Sequence, residues 1–173
     1  MPLAVPSQIR PTGGKVRQAL FNILGSFIEG ARVLDGFAGS GALGLEALSR
    51  GAAFVAFLED DGEAVVSIRD NLVAIGPELP RQAWRVVHFE IERGLRELAK
   101  TEPPFDAILF DPPYRSEEGK KALNTVVDCA MLAPAGLVAI EHHRRTELPA
   151  SVGFLQQCKR HRYGDTVLSF YRA

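Results

Sequence analysis

The spacing of apolar positions changes near residue 30, and the change divides the chain. Val16, Ala19, Leu20, Ile23, Leu24 and Phe27 recur every three or four residues, which places them on one face of a helix. They predict a helix over about 15–28 that Gly30 ends. Beyond it, solid apolar runs predict buried strands over 31–34, 53–58, 84–89, 105–110 and 137–141. Between the runs, helical spacing predicts helices over 42–49, 63–75, 91–100 and 120–132. On the last of these Ala122, Leu123, Val126, Val127, Ala130 and Met131 share a face. Residues 36–41 read as a glycine-rich turn. Segments 154–163 and 166–171 read as a closing pair of strands around Gly164-Asp165.

Strands that alternate with helices indicate βαβ units. Strands apolar along their whole length fit a sheet with helices on both faces. The expected class is therefore α/β, with a mostly parallel seven-stranded sheet. The final link is too short for a crossover helix, so one late strand is expected to be antiparallel. Residues 1–14, with three prolines and two glycines, read as an irregular arm, and 15–173 as one domain. In such sheets ligands bind beyond the carboxyl ends of strands. Asp35, Glu59, Glu90 and Asp111 all fall at or just past predicted strand ends.

Composition narrows the class without naming a function. The chain has 173 residues, 46% of them hydrophobic and 24% charged, with a net charge of −1. These are the proportions of an ordinary globular chain, and they exclude a disordered or strongly cationic one. Cys129 and Cys158 have no Cys or His at ligand spacing, so reduced thiols and no metal are expected. No run approaches the roughly 20 apolar residues of a membrane span, and the first six residues lack a signal-peptide pattern. A soluble, cytoplasmic protein is expected, and nothing calls for more than a monomer. The charge is uneven, however. Residues 1–32 hold four basic and one acidic residue, 33–140 ten and seventeen, and 141–173 six and three.

Two motifs carry chemistry. The first is Asp35-Gly36-Phe37-Ala38-Gly39-Ser40-Gly41. Its glycines let a ligand approach the backbone, and Gly39-x-Gly41-x-x-Gly44 with Glu59 twenty residues on matches a dinucleotide fingerprint. An acid, Asp35, stands where that fingerprint has its first glycine. It repels phosphate and attracts a cationic amino acid moiety, while Glu59, with Asp60 beside it, suits ribose hydroxyls. S-adenosylmethionine meets both conditions. Glu90 or Ile91 lies where an adenine edge would be read; Glu90 also reads as an ordinary helix-start acid. The second motif is Asp111-Pro112-Pro113-Tyr114. Two prolines stiffen the backbone, so the Asp111 carboxylate and Pro112 carbonyl become fixed acceptors for the two hydrogens of an exocyclic amine. Tyr114 can stack on the base. The clusters His142-His143-Arg144-Arg145 and Lys159-Arg160-His161-Arg162 read either as solvated surface or as phosphate contacts.

These residues resemble a known family. The pair of motifs looks like the class I S-adenosylmethionine-dependent methyltransferases that modify exocyclic amines, which have a Rossmann-like sheet. Arg10-Pro11-Thr12, Val16-Arg17, Leu20-Phe21-Asn22, the stretch 33–51 and Tyr163-Gly164-Asp165-Thr166 resemble more narrowly the bacterial 16S ribosomal RNA guanine-N2 methyltransferases. The resemblance implies methyl transfer to the 2-amino group of a guanine in small-subunit ribosomal RNA, free, in the subunit or in an assembly intermediate. S-adenosylhomocysteine would be the product. It implies that residues 35–41 cradle the methionine moiety, that Glu59 holds the ribose and that residues 111–114 hold the amine. Arg10 and Thr12 would close over the cofactor, and Arg10, Lys15, Arg17, Arg115, Arg144, Arg145, Arg160 and Arg162 would meet RNA. Gly36 departs from the pattern, which has a larger apolar residue there. Gly13-Gly14 and the nine residues ahead of Arg10, where a longer basic arm is usual, depart from it too. An adenine 6-amino methyltransferase on DNA or RNA shares the second motif. A dinucleotide-dependent oxidoreductase and a non-catalytic RNA-binding scaffold are more distant alternatives.

Overall fold

The computed structural model describes residues 13–80, 83–114 and 116–173. The arm up to Thr12, with Arg10, lies outside them, as does Arg115. Among the described residues, five α-helices and eight strands follow in order: α1 Gly14–Leu24, β1 Arg32–Gly36, α2 Ala42–Ser49, β2 Phe54–Glu59, α3 Gly62–Ile75, β3 Trp84–His88, α4 Ile91–Thr101, β4 Phe105–Phe110, α5 Glu118–Asp128, β5 Leu132–His143, β6 Ser151–Val152, β7 Leu155–Tyr163 and β8 Thr166–Arg172. The strands form one sheet in the order β3-β2-β1-β4-β5-β8-β7-β6. Strands β1 to β5 pair in parallel. β8 runs antiparallel to β5 and β7, and β6 pairs antiparallel with β7.

The pleat sends alternate side chains to opposite faces. Val33, Val55, Phe57, Ala107 and Leu109 face one core, completed by Leu20 and Phe21 of α1, Leu43 and Leu48 of α2 and Ile68 and Leu72 of α3. Leu34, Ala56, Leu58, Ile108 and Phe110 face the other, with Leu95 and Leu98 of α4 and Ala122, Leu123 and Val126 of α5. Leu34, Phe57, Leu58, Leu95 and Leu98 are fully buried, each worth about 1.5–3 kcal/mol of transfer free energy.

Several boundaries differ from expectation for identifiable reasons. The first helix stops at Leu24, because Gly25 adopts φ 52°, and a 3₁₀ turn over Gly25–Ile28 follows. The last helix stops at Asp128 rather than 132. Ala130 turns the chain with φ 49°, and Leu132 already pairs with Phe105 in β5. Ala130 and Met131 keep helical spacing, but Met131 is buried on the way into the strand. The sheet has eight strands, not seven; the added β6 has only two residues, too short to show a period. His142 and His143, read with the basic clusters, are buried in β5 and form no solvated surface. Among the described residues, no helix is long and apolar enough to cross a membrane.

Candidate active site

The chain lays β2 and β3 on one side of β1 and then returns to place β4 on the other side. This switch point opens a crevice at the carboxyl ends of β1 and β4. Register fills it. Gly36 pairs with Leu58 on one side and Phe110 on the other, so Glu59 and Asp111 occupy the next position on either side of Phe37. By alternation Asp35, Glu59 and Asp111 all belong to the same face of the sheet.

Asp35 is almost wholly buried, and its Oδ2 accepts a hydrogen bond from the Gly44 N–H at 2.8 Å. This contact needs glycine at 44, since a Cβ there would lie 2.3 Å from the Phe57 ring. Its Oδ1 is buried without a hydrogen-bond partner. Burial holds the Asp35 carboxyl well above the usual carboxylate range; the Gly44 N–H partly offsets this, and Asp111 and Glu59 reinforce it. A buried, unpartnered acceptor among acids suits a positively charged ligand group, which would satisfy the oxygen and favour the ionised form. An α-ammonium group fits that requirement.

Glu59 is also buried, and burial raises its carboxyl pKa, partly offset by the Gly39 N–H. Oε1 accepts from the Gly39 N–H at 3.1 Å and Oε2 from the Asp60 N–H at 3.0 Å. Each carboxylate oxygen has a second lone pair, so the group can accept ribose hydroxyls while pinned. The loop between β1 and α2 is tight. Phe37 has φ 57°, unusual for a bulky residue, and its ring meets Phe110 edge-on at 5.7 Å. The Ala38 N–H bonds Leu58 O, the Gly41 N–H bonds Ala38 O, and Asn71 Nδ2 bonds Ser40 O. Gly36 has a local cause too. A Cβ there would fall 2.5 Å from the Phe110 ring, so the large group sits on β4 instead of β1.

These elements surround one cavity of about 420 Å³. Glu59, Asp60 and Asp61 line one part of it, Phe37, Leu58, Phe89 and Ile91 supply apolar surface, and residues 111–114 with Glu118 line another. Its described lining carries five carboxylates and no cation. The second motif is fastened in place: the Pro113 carbonyl accepts from Ser116 N–H at 3.2 Å and Ser116 Oγ at 2.8 Å. Tyr114, 44% exposed, meets His143 edge-on at 4.6 Å.

The structure thus brings Phe37, Glu59, Asp60, Ile91 and residues 111–114 together on one cavity. Asp35, Ala38, Gly39, Ser40 and Gly41 are buried and do not line it, and the Gly39 and Gly41 N–H groups serve internal acceptors. Glu90 is exposed at the start of α4 and borders a separate surface groove with Arg93 and Arg96. Lys15 is exposed and Arg17 half-buried on α1. Arg144 pairs with Asp165 at 2.8 Å and holds its carboxyl below the usual range. Arg162 Nε donates to Gly164 O, while Arg145 and Arg160 are exposed. Leu58, Asp61, Phe89 and Glu118 were not singled out by sequence. Phe89 and Asp61 fall just past strands, a signal that could have found them; Glu118 carries none.

The family described as "Conserved hypothetical protein 95" matches residues 2–172. The chain belongs to this family. It is 39% identical to "Putative rRNA methyltransferase YlbH" of Bacillus subtilis over 94% of this chain and 87% of that protein. It is 37% identical to "Ribosomal RNA small subunit methyltransferase D" of Escherichia coli, over 85% and 72% of the two chains. The solved structure named "Putative methyltransferase yhhF" from Escherichia coli superposes with a TM-score of 0.82 at 34% identity, covering 98% of this chain and 90% of that one. The sheet is the Rossmann-like sheet of the class I methyltransferases, with its late antiparallel strand.

Proposed function

We propose that the protein transfers a methyl group from S-adenosylmethionine to the exocyclic 2-amino group of a guanine in small-subunit ribosomal RNA. The observation that carries this reading is one cavity shared by Glu59 with Asp60 and by residues 111–114. Asp35 does not line it, but its unpartnered buried oxygen belongs to a carboxyl that feels the charges of Asp111 and Glu59. Asp35 would hold the cationic amino acid end of the cofactor and Glu59 its ribose. Phe89 and Ile91 offer apolar walls for the adenine. Bound there, the cofactor supplies a methyl group made electrophilic by its sulfonium.

The chain's own residues orient the acceptor. The Asp111 carboxylate and the Pro112 carbonyl each accept one amine hydrogen, which turns the nitrogen lone pair away from them. Tyr114 stacks on the base, and its contact with His143 limits its swing. Asp111, already bonded to the amine, receives the proton released as the nitrogen–methyl bond forms. Positioning and water exclusion supply the acceleration, with no covalent nucleophile. Five lining carboxylates disfavour the pyrophosphate of a dinucleotide. The base must leave its stack to reach the cavity, and the family relatives named for ribosomal RNA support RNA as its source. Arg145 and Arg160 are exposed cations suited to its phosphates.

Asp111→Ala tests the assignment. It should keep S-adenosylmethionine binding by calorimetry and lower kcat at least about a hundredfold. Unchanged turnover would remove Asp111 from the mechanism.

A further inference from the structure

The 2-amino group alone does not define guanine, and the part of the cavity walled by residues 111–114 holds a further acceptor beyond the two an amine can use. Glu118 lines it together with residues 111–114. Its place is set by packing. Gly119, the next residue, lies against Pro112 and Ile140, where a Cβ would come within 3.2 Å of Pro112 Cγ and 2.8 Å of Ile140 Cδ1. The first turn of α5 is therefore held directly beside the second motif. The neighbouring acid Glu117 is engaged with Lys120 at 3.3 Å and does not line the cavity. Glu118 also lies at the positive end of α5, which favours a carboxylate there.

On the Watson–Crick edge of guanine, N1–H lies between the O6 acceptor and the 2-amino group, so next to the amine the edge presents a second donor. An ionised carboxylate only accepts hydrogen bonds. Adenine, and any purine without N1–H, turns an N1 lone pair toward the same place and meets the carboxylate as acceptor against acceptor. We propose that Glu118 determines base specificity by accepting a hydrogen bond from guanine N1–H while Asp111 and Pro112 engage the 2-amino group. This inference rests on the guanine reading above and adds to it the residue that selects the base.

The test uses 2-aminopurine, which keeps the 2-amino group and lacks N1–H together with O6, so the part of any preference that depends on Glu118 is the readout. Once the methylated guanine is mapped, small-subunit RNA is assembled by ligation with guanine or 2-aminopurine at that nucleotide. kcat/KM for each is then measured with wild-type protein and with Glu118→Ala and Glu118→Gln. The wild type should prefer guanine by about tenfold or more, because a group built to pair with N1–H rejects a base without it. In Glu118→Ala that preference should collapse toward one. Glu118→Gln, which keeps an acceptor oxygen but not the charge, should fall between. A preference that survives in Glu118→Ala, with both substrates slowed in parallel or neither slowed, overturns the proposal. A wild type that methylates no guanine overturns the underlying function instead, and that outcome is read first.

Discussion

Asp35 concentrates the electrostatics of the site. It is a buried acid with one oxygen bonded to the Gly44 N–H and the other without a partner. Because burial raises its pKa, the folded chain keeps this proton to higher pH than the unfolded chain. The stability linked to the group is complete below the unfolded carboxylate range and is lost as pH rises through the raised value. Asp35→Asn removes that loss. The apoprotein should melt higher than wild type at pH 8 and show little gain at acid pH, where Asp35 is protonated. The same variant should bind S-adenosylmethionine at least about tenfold more weakly by calorimetry, since an uncompensated cation then meets no charge. A variant that gains no stability and keeps full affinity would remove Asp35 from both roles. Sequence found Asp35 because an acid replacing a glycine is a local signal. It misread His142 and His143 because a run of basic letters does not show which side chains are buried. His142 bonds Ser169 Oγ at 2.8 Å and the His143 carbonyl at 3.0 Å, and burial pushes its pKa down; these partners come from β8 and from its own strand.

At the level of elements, the first four strands and three of the helices were legible to within a residue or two, because buried parallel strands are continuous apolar runs. The ends were less legible where tertiary contacts decide them. β5 begins at Leu132 because Phe105 offers a partner, and the helical spacing of Ala130 and Met131 hides that start. Gly36 shows the reverse case, a departure from the family pattern that only packing explains. The Phe110 ring on β4 fills the space a side chain on β1 would take. Gly36→Ala should cost about 1–3 kcal/mol by overpacking. Combining it with Phe110→Leu should recover most of that loss, measured as non-additivity in denaturant unfolding. Additive losses would show that the two positions do not share space.

Across the whole molecule, the near-zero net charge conceals a division. The cavity is walled by acids, while Arg144, Arg145, Lys159, Arg160 and Arg162 gather on the end of β5 and on the β7–β8 hairpin. Arg145 borders one surface groove with Ser116, Glu117 and Glu147, which places one exposed cation near the edge of the second motif. In the proposed reading, an acidic pocket with Arg145 near its edge would admit a neutral base and keep its phosphates outside. Arg145→Glu with Arg160→Glu should weaken RNA binding and reduce the slope of log affinity against log salt by about 1–2. An unchanged slope would mark both arginines as ordinary surface. This division was visible as segment charges, but the lining role of Glu118 was not, because it depends on how α5 docks against Pro112.

The proposed reaction is methyl transfer to a guanine amine in small-subunit RNA. The most direct measurement is transfer from tritiated S-adenosylmethionine into small ribosomal subunits from a strain lacking the enzyme, followed by digestion to nucleosides. Label in N2-methylguanosine is the predicted result. Label in N6-methyladenosine, or no transfer by folded, cofactor-binding protein to either the subunits or their RNA, would contradict it.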